Sequence, residues 1–415
     1  MLRRSHKKSK GGCLQCKRRH VKCDEGRPLC LLCTISGRDC SFASQPEPSL
    51  ERLSTSSVSP HELVKRISNN HNQGGISLPD ITSSTTDPQS NSVFPEHPSV
   101  NGHHDPTLEE TVNPKHMELV MHLLLEKEMF SLGIKVGDYS SNISIALKLA
   151  LKSPYLLHQL LAFSARHLAF VRPEHSASYL HQAVTLQTRA VSLFNAAWTE
   201  ISQSNYAETL LFSSILGHHV LTDTLAKRDK GGLEAFIAHY IQCVEVHRGI
   251  YTIARTVWPL LMDSELGPVL SLTAEFTSRQ PKGSHCQQIR ELVDCSDGLG
   301  EEAKEACQVA INYLQVGFDA VLSDEETHGV RHQMIFSWTL LVPPELTDLF
   351  TAKRPEVLVL LAYYTVLLHY GRNIWQVGDS GAYILGIIVD YLGPEWDHWL
   401  KYPQAMVANG LEHPI

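Results

Sequence analysis

The chain has 415 residues, 43% of them hydrophobic, with 36 lysines and arginines against 44 aspartates and glutamates. This length and apolar content suffice for one large domain or two smaller ones, and they exclude a peptide-sized scaffold. Ten cysteines are few for such a length, but six of them fall between Cys13 and Cys40. This concentration predicts a local function for those thiols.

The charge of the chain is divided unevenly along its length. Residues 1–40 contain eleven lysines and arginines and three acidic residues, a net charge of +8, whereas the remaining residues carry −16. Phosphate binding depends on a local density of positive side chains rather than on the charge of the whole protein. The pattern therefore predicts a polyanionic partner for the N-terminal segment alone.

The sequence also predicts the compartment of the cysteines. The first ten residues are basic, but the apolar segment of a secretory signal does not follow them. The longest nearly apolar run, residues 357–368, falls short of the roughly 20 residues that span a bilayer. We therefore expect no membrane span and a reducing compartment, in which clustered cysteines more often hold a metal than form disulfides.

The cysteine segment consists of two similar halves. A Cys-x2-Cys-x6-Cys spacing occurs twice, 17 residues apart, and comprises Cys13, Cys16, Cys23, Cys30, Cys33 and Cys40. A Cys-x2-Cys turn brings two thiolates to one ion, and further ligands complete the tetrahedron that zinc prefers. Six cysteines supply fewer than the eight ligand positions of two tetrahedral ions, so two thiolates have to bridge. The repeat symmetry predicts Cys13 and Cys30 as that bridging pair.

This segment resembles the fungal binuclear zinc cluster (Zn2Cys6) transcription factors. The likeness rests on the six-cysteine spacing, on the basic run between the second and third cysteines, and on Pro28. The resemblance implies two zinc ions per chain, double-stranded DNA as partner, and a helix that enters the major groove to read a CGG-like triplet. Carried over by position, the DNA-contacting residues are Lys17, Arg18, Arg19, His20 and Lys22.

One of these positions departs from the family pattern. His20 stands where relatives usually have a base-reading lysine or arginine. A neutral imidazole offers one donor and one acceptor but no charge, so we expect a weaker contact to guanine. Lys22, beside the third cysteine, is expected to contact a phosphate. The basic residues before the cluster, 3–10, are expected to serve nuclear import or to follow the DNA backbone.

The composition together with the resemblance predicts a small Zn2Cys6 domain and a large all-α regulatory domain joined by a disordered linker. The predicted parts are residues 1–42, residues 43–112 as linker, and residues 113–415. Few apolar residues occur between positions 69 and 106, which is typical of a segment that cannot bury a core. No heptad pattern is sustained after the cluster. We therefore expect any homodimer contact to come from the helical domain.

Helical spacing of apolar residues begins near residue 115. It predicts helices over residues 117–130, 153–171, 178–198, 207–225, 233–254, 304–322, 354–377 and 382–392. Residues 280–302 are the least regular part and are expected to form an exposed loop. The aromatic residues near the C-terminus are expected either to line a pocket or, more commonly, to pack in the core: Tyr363, Tyr364, Tyr370, Trp375, Trp396 and Trp399.

The large domain carries no catalytic motif, so the sequence predicts a protein that is not an enzyme. The four cysteines outside the cluster lack metal-ligand spacing and are expected to be structural or free thiols. They are Cys243, Cys286, Cys295 and Cys307. The histidine pair His218-His219 is expected to be solvated or satisfied in the core rather than a ligand pair.

The large domain resembles the C-terminal region of fungal regulators of the sterol-uptake-control type. The likeness lies in residues 155–167, 246–249, 355–364 and 392–396. It implies a hydrophobic small-molecule effector, although the same architecture also resembles regulators of secondary-metabolite gene clusters. The sequence therefore predicts a nuclear, zinc-dependent regulator of RNA polymerase II genes. The alternative is a ligand-binding or scaffolding protein whose zinc cluster serves protein contacts.

Overall fold

A computed structural model describes two separate parts of the chain. The described residues are 13–18, 41, 113–130, 132, 139–197, 201, 204–323, 326 and 328–409. By backbone contacts the chain divides into two compact units, Met1–Ser57 and Val58–Ile415. The predicted linker segment and the predicted site residues Arg19, His20, Lys22, Cys23, Cys30, Cys33 and Cys40 lie outside the described residues.

Every regular element in the described ranges is a helix, so the prediction of a large all-α domain is confirmed there. The first unit contributes α1 (Leu14–Arg18). The second contributes α2 (Pro114–Leu125), α3 (Tyr139–Ala150), α4 (Pro154–Val171), α5 (Ser176–Ala197), α6 (Tyr206–Ala226), α7 (Gly232–Thr256), α8 (Trp258–Met262), α9 (Gly267–Thr277), α10 (Gln287–Asp294), α11 (Glu301–Val321), α12 (His328–Arg331), α13 (Gln333–Leu341), α14 (Glu345–Thr351), α15 (Pro355–Tyr370), α16 (Ser380–Leu392) and α17 (Asp397–Asn409). Short 3-10 helices lie at Lys127–Phe130, Pro173–His175 and Pro394–Trp396. In the part of the chain that the structure describes, no helix is both long and apolar enough to cross a bilayer.

The predicted helices occur with shifted ends, and local chemistry sets those ends. Proline occupies the first position of α4 and of α15, where its fixed φ suits a helix and its missing N–H costs nothing. Gly393 ends α16 with φ of 72°, a conformation that favours glycine. Two predictions were wrong: α15 ends at Tyr370 rather than at residue 377, and residues 280–302 contain α10, whose Ile289 and Val293 are buried.

The centre of the second unit is α15, which is buried on all sides. All residues from 356 to 369 are buried, and α10, α11, α13, α14, α16 and α17 pack around the helix. Tyr363 and Tyr364 are fully enclosed here, and the Tyr364 ring stacks on Trp338 at 4.5 Å between centroids. These two tyrosines therefore belong to the core, the commoner of the two sequence-based expectations. A second apolar cluster lies among α2 to α6.

Helices α16 and α15 approach each other closely at Gly381. A Cβ atom at Gly381 would lie 2.6 Å from the Thr365 carbonyl oxygen and 2.7 Å from the His369 backbone nitrogen. Both neighbours are backbone atoms, which cannot rotate away. We therefore expect Gly381→Ala to lower the free energy of unfolding by about 1–3 kcal/mol, measured by urea denaturation.

Gly386 provides the matched control for this prediction because it lies on the same helix. A Cβ atom there meets nothing within 4 Å, and the residue is exposed. Gly386→Ala is expected to stabilise the protein by up to about 1 kcal/mol, the difference in helix propensity between glycine and alanine. Equal effects of the two substitutions would contradict the close approach at Gly381.

Candidate functional site

The described part of the cysteine segment is α1, which begins directly after Cys13. The Cys13 carbonyl accepts a hydrogen bond from the Lys17 backbone N–H at 3.0 Å, which closes the first helical turn. The Cys13 Sγ accepts from the Cys16 N–H at 3.3 Å. The sulfur thus occupies the role of a side-chain N-cap, and an N–H donor of this kind stabilises a thiolate.

The described cysteines of this segment are buried, whereas its described basic residues are exposed. Cys13 and Cys16 are 1% and 0% exposed, and the i, i+3 spacing places both thiols on one side of the helix. Lys17 and Arg18 are exposed, as is Leu14. The helix therefore presents two cations to solvent and keeps two thiols inside. These four positions are the predicted site residues that the structure describes.

Ser41 connects the far end of the cysteine segment to the start of α1. The Leu14 N–H donates to the Ser41 Oγ at 2.9 Å, across 27 positions of sequence. Leu14 follows the first cysteine of the first half, and Ser41 follows the last cysteine of the second half. The sequence argument did not single out Ser41. The signal that could have identified it is its position directly after Cys40.

Residues 11–49 match the fungal Zn(2)-Cys(6) binuclear cluster domain. The chain carries this cluster domain. A Zn(2)-C6 fungal-type transcription factor of Gibberella zeae is 23% identical over 99% of this chain and 88% of its own length. The Zn(2)-C6 fungal-type transcription factor afumD of Aspergillus fumigatus is 24% identical over 86% of this chain and 84% of its own. Sterol uptake control protein 2 of Candida albicans is 50% identical over 11% of this chain and 6% of its own.

These similarities agree with the predicted class of protein. The cluster domain lies at the N-terminal end, and the two long alignments run on through the helical domain. Both of these relatives are named as transcription factors, which supports a DNA-binding transcriptional regulator.

The described residues of the cluster domain fit zinc as its metal. Both described cysteines are enclosed, and one sulfur accepts an N–H hydrogen bond, the environment expected of a thiolate ligand. When bound, zinc supplies the cross-link that a segment this short cannot obtain from an apolar core. Cys23, Cys30, Cys33 and Cys40 would complete the two tetrahedra.

The helical domain contains a large cavity at the junction of its two apolar clusters. Its volume is about 660 Å³, and side chains from α3, α4, α6, α7, α9 and α13 line it. Ile143 and Leu160 come from one cluster, whereas Leu210, Ile250 and Phe336 come from the other. Such a volume lies within the range of about 300–1,000 Å³ that is usual for small-molecule sites.

The aromatic residues that the sequence offered as pocket candidates do not line this cavity. Tyr363 and Tyr364 pack in the core, and Tyr370, Trp396 and Trp399 pack against that core from outside. Trp375 contacts the His167 ring at 4.6 Å, and its Nε1 donates to the Met129 carbonyl at 3.0 Å. Tyr363 and Tyr364 cannot reach the cavity because α13 lies between. Phe336 of α13 faces the cavity, whereas Trp338 of the same helix stacks on Tyr364.

The cavity lining includes a histidine that the sequence argument treated as an ordinary core or surface residue. The His218 ring stacks on Phe336 with 3.9 Å between ring centroids, and its Nδ1 lies 3.5 Å from the Gln376 amide nitrogen. Burial lowers the pKa of His218 to about 3, so the ring is neutral at physiological pH. No periodicity in the sequence separates His218 from its neighbour His219, which is buried beside Asp223.

The cysteines of the helical domain are free thiols, as predicted. Cys243, Cys286 and Cys307 are buried, whereas Cys295 is exposed. Burial raises the pKa of Cys243 and Cys286 well above the ordinary range of a thiol, and that of Cys307 to about 12. These three thiols therefore stay protonated and behave as small apolar core residues.

Proposed function

We propose that this protein binds specific sites in nuclear promoter DNA through its cluster domain and regulates transcription by RNA polymerase II. The proposed organisation is the one expected from the sequence, with residues 1–42 as DNA-binding domain, 43–112 as linker and 113–415 as regulatory domain. The observation that carries the proposal is the match of residues 11–49 to the binuclear cluster family. The charge of +8 on residues 1–40 supports it, because DNA binding depends on counterion release by local cations.

The contacts within the first unit support the proposed metal arrangement. In the two-half scheme, Cys13 is shared between one ion held mainly by the first half and another held mainly by the second. The Leu14–Ser41 hydrogen bond joins residues that directly follow Cys13 and Cys40 in sequence. Such a link brings the end of the second half next to the start of the first, as a bridging Cys13 requires.

The proposed DNA-contacting surface comprises the exposed Lys17 and Arg18 together with Arg19, His20 and Lys22. Lys17 and Arg18 lie in the last turn of α1 and are exposed to solvent. Basic side chains on such a helix contact guanine edges or phosphates. Because His20 lacks the charge of lysine, we propose that preference for a CGG-like triplet is weaker here than in relatives.

Lys17→Ala tests the DNA-contacting surface in the full-length protein. Fluorescence anisotropy with duplexes carrying a CGG triplet in randomised flanks is expected to show weaker binding. The slope of log affinity against log salt is expected to fall by about 1, the loss of one released counterion. Lys115→Ala removes another exposed lysine, from α2 of the helical domain, and is the control.

The outcome of this experiment separates two classes of protein. An unchanged salt slope in Lys17→Ala would contradict the proposed surface. No duplex binding at physiological salt by the wild-type, zinc-loaded protein would contradict DNA binding itself. That second result would instead favour the alternative in which the cluster domain serves contacts with another protein.

We also propose that a hydrophobic small molecule regulates the helical domain. The support is the cavity of about 660 Å³, whose lining is mainly aliphatic. The name of one relative suggests sterol uptake control, and the resemblance of the large domain suggests secondary-metabolite regulation as a second process. The proposed regulation is tested by titrating the protein–DNA complex with organic extracts of cells that express the protein. Mass spectrometry then identifies any compound that the protein retains.

A further inference from the structure

The charged side chains around the cavity all lie on its exposed rim. Lys127, Glu128, Arg255 and Glu265 are the charged residues of the described lining, and each is exposed to solvent. The inner wall contains aliphatic and aromatic side chains with a few neutral polar groups. A charged ligand group placed inside would lose its hydration without gaining a counter-ion, which is strongly unfavourable.

One neutral polar group inside the cavity is placed to hydrogen-bond a ligand. With the Gln376 amide donating to Nδ1, the proton of the neutral His218 ring lies on Nε2. No described residue hydrogen-bonds this Nε2, and the nitrogen is not among the enclosed polar atoms. Phe336 stacks on the ring face and fixes its orientation. The structure thus holds an oriented N–H donor at a wall that is mainly apolar.

We propose that the cavity binds an uncharged, largely apolar molecule that presents one oxygen atom to Nε2 of His218. This inference rests on the proposed effector function and specifies the chemistry of its ligand. A core normally packs without voids of this size, and an unfilled apolar cavity costs stability in proportion to its volume. A ligand of this class fills the volume and also satisfies the donor.

Helix α9 covers one side of the cavity and provides the most specific test. Its residues Val269, Leu270, Thr273, Ala274 and Thr277 share one face and line the cavity, and its main helix contact is with α8. This face is half-buried although it is largely apolar. The bound molecule supplies the apolar partner that neighbouring helices do not provide for α9.

Three pyrene derivatives test the predicted ligand chemistry in the full-length protein without DNA. 1-Hydroxypyrene is uncharged and carries one oxygen, pyrene lacks the oxygen, and pyrene-1-carboxylate is charged. We expect saturable binding of 1-hydroxypyrene, measured by pyrene fluorescence, and at least tenfold weaker binding of the carboxylate. Equal or tighter binding of the carboxylate would overturn the proposal of an uncharged ligand.

Leu270→Asp locates the probe, because it places a carboxylate on the lining face of α9, where a charge opposes binding of an apolar molecule. We expect at least a tenfold loss of 1-hydroxypyrene affinity. Leu272→Asp is the matched control on the same helix, since Leu272 is 40% exposed and outside the lining. If Leu270→Asp does not fold, Ala274→Leu narrows the cavity without adding charge. Unchanged probe affinity in the folded variant would overturn the site.

His218→Phe tests the proposed donor while it keeps an aromatic ring on Phe336. The ratio of 1-hydroxypyrene affinity to pyrene affinity is expected to fall about threefold to tenfold, the contribution of one hydrogen bond. An unchanged ratio would overturn the role of His218. DNA binding by the same preparations, measured without probe, reports separately on the function of the cluster domain. Loss of probe binding with intact DNA binding therefore contradicts only the proposed ligand site, and loss of DNA binding alone contradicts only the proposed function of the cluster domain.

Discussion

Cys13→Ala is expected to weaken DNA binding by the full-length protein at least about 100-fold. The cluster domain is too short to fold around an apolar core, so its metal ions provide most of its folding free energy. Cys13 also caps α1, because its sulfur accepts the Cys16 N–H and its carbonyl accepts the Lys17 N–H. Removing the thiol eliminates a ligand and a helix cap together. Fluorescence anisotropy with duplexes that carry a CGG triplet measures the loss of DNA affinity.

Zinc content distinguishes a bridging Cys13 from an ordinary ligand. Elemental analysis of the wild-type protein is expected to give about two zinc ions per chain. Cys13→Ala is expected to retain less than about one, whereas Cys16→Ala, which alters one site, retains about one. Cys295→Ser changes an exposed thiol of the helical domain and is the control. Full zinc content in Cys13→Ala would contradict the metal arrangement.

Acidification from pH 7.5 to pH 5 is expected to destabilise the helical domain by several kcal/mol. Burial is the main cause that lowers the pKa of His167 to about 4, of His218 to about 3 and of His247 to about 4. The ordinary value is 6.5, so below that pH the unfolded chain binds more protons than the folded one. The contribution of the neutral rings is complete above pH 6.5 and is lost as the pH falls. Each ring accounts for a loss on the order of 2 kcal/mol at pH 5.

Urea denaturation at a series of pH values, followed by tryptophan fluorescence, measures this loss. His167→Asn removes one titrating ring, whose Nδ1 lies 2.8 Å from the His122 Nε2, and is expected to flatten the acid limb. His181→Gln changes an exposed histidine on α5 and is the control substitution. A constant free energy of unfolding between pH 7.5 and pH 5 would show that the buried rings do not resist protonation.

The sequence predicted the elements that depend on local pattern. The regular cysteine spacing identified the cluster domain, because a tetrahedral site requires ligands at fixed short separations. Long amphipathic helices such as α4 and α5 were predicted within a few residues of their ends. The short α10 was missed because its eight residues lie between glycine-rich and proline-rich turns, which favoured a loop.

The cavity could not be predicted from the sequence, since it combines side chains from helices that are distant along the chain. Three of the lining residues also pack in the larger apolar cluster, as core residues do: Leu210, Ile250 and Phe336. Only the packed structure reveals that their other sides face an open volume. For α15, the periodicity carried no information about a buried face because the helix is buried all round.

The hydrogen bond from Leu14 to Ser41 bears on the smallest peptide that can serve as an independent DNA reader. A synthetic fragment that stopped at Cys40 would contain every sulfur ligand, yet α1 would lose the hydroxyl acceptor of its first amide. Water would have to replace that acceptor, and the hydrogen bond between the two ends of the fragment would be lost. The functional limit of the module therefore lies beyond its last ligand.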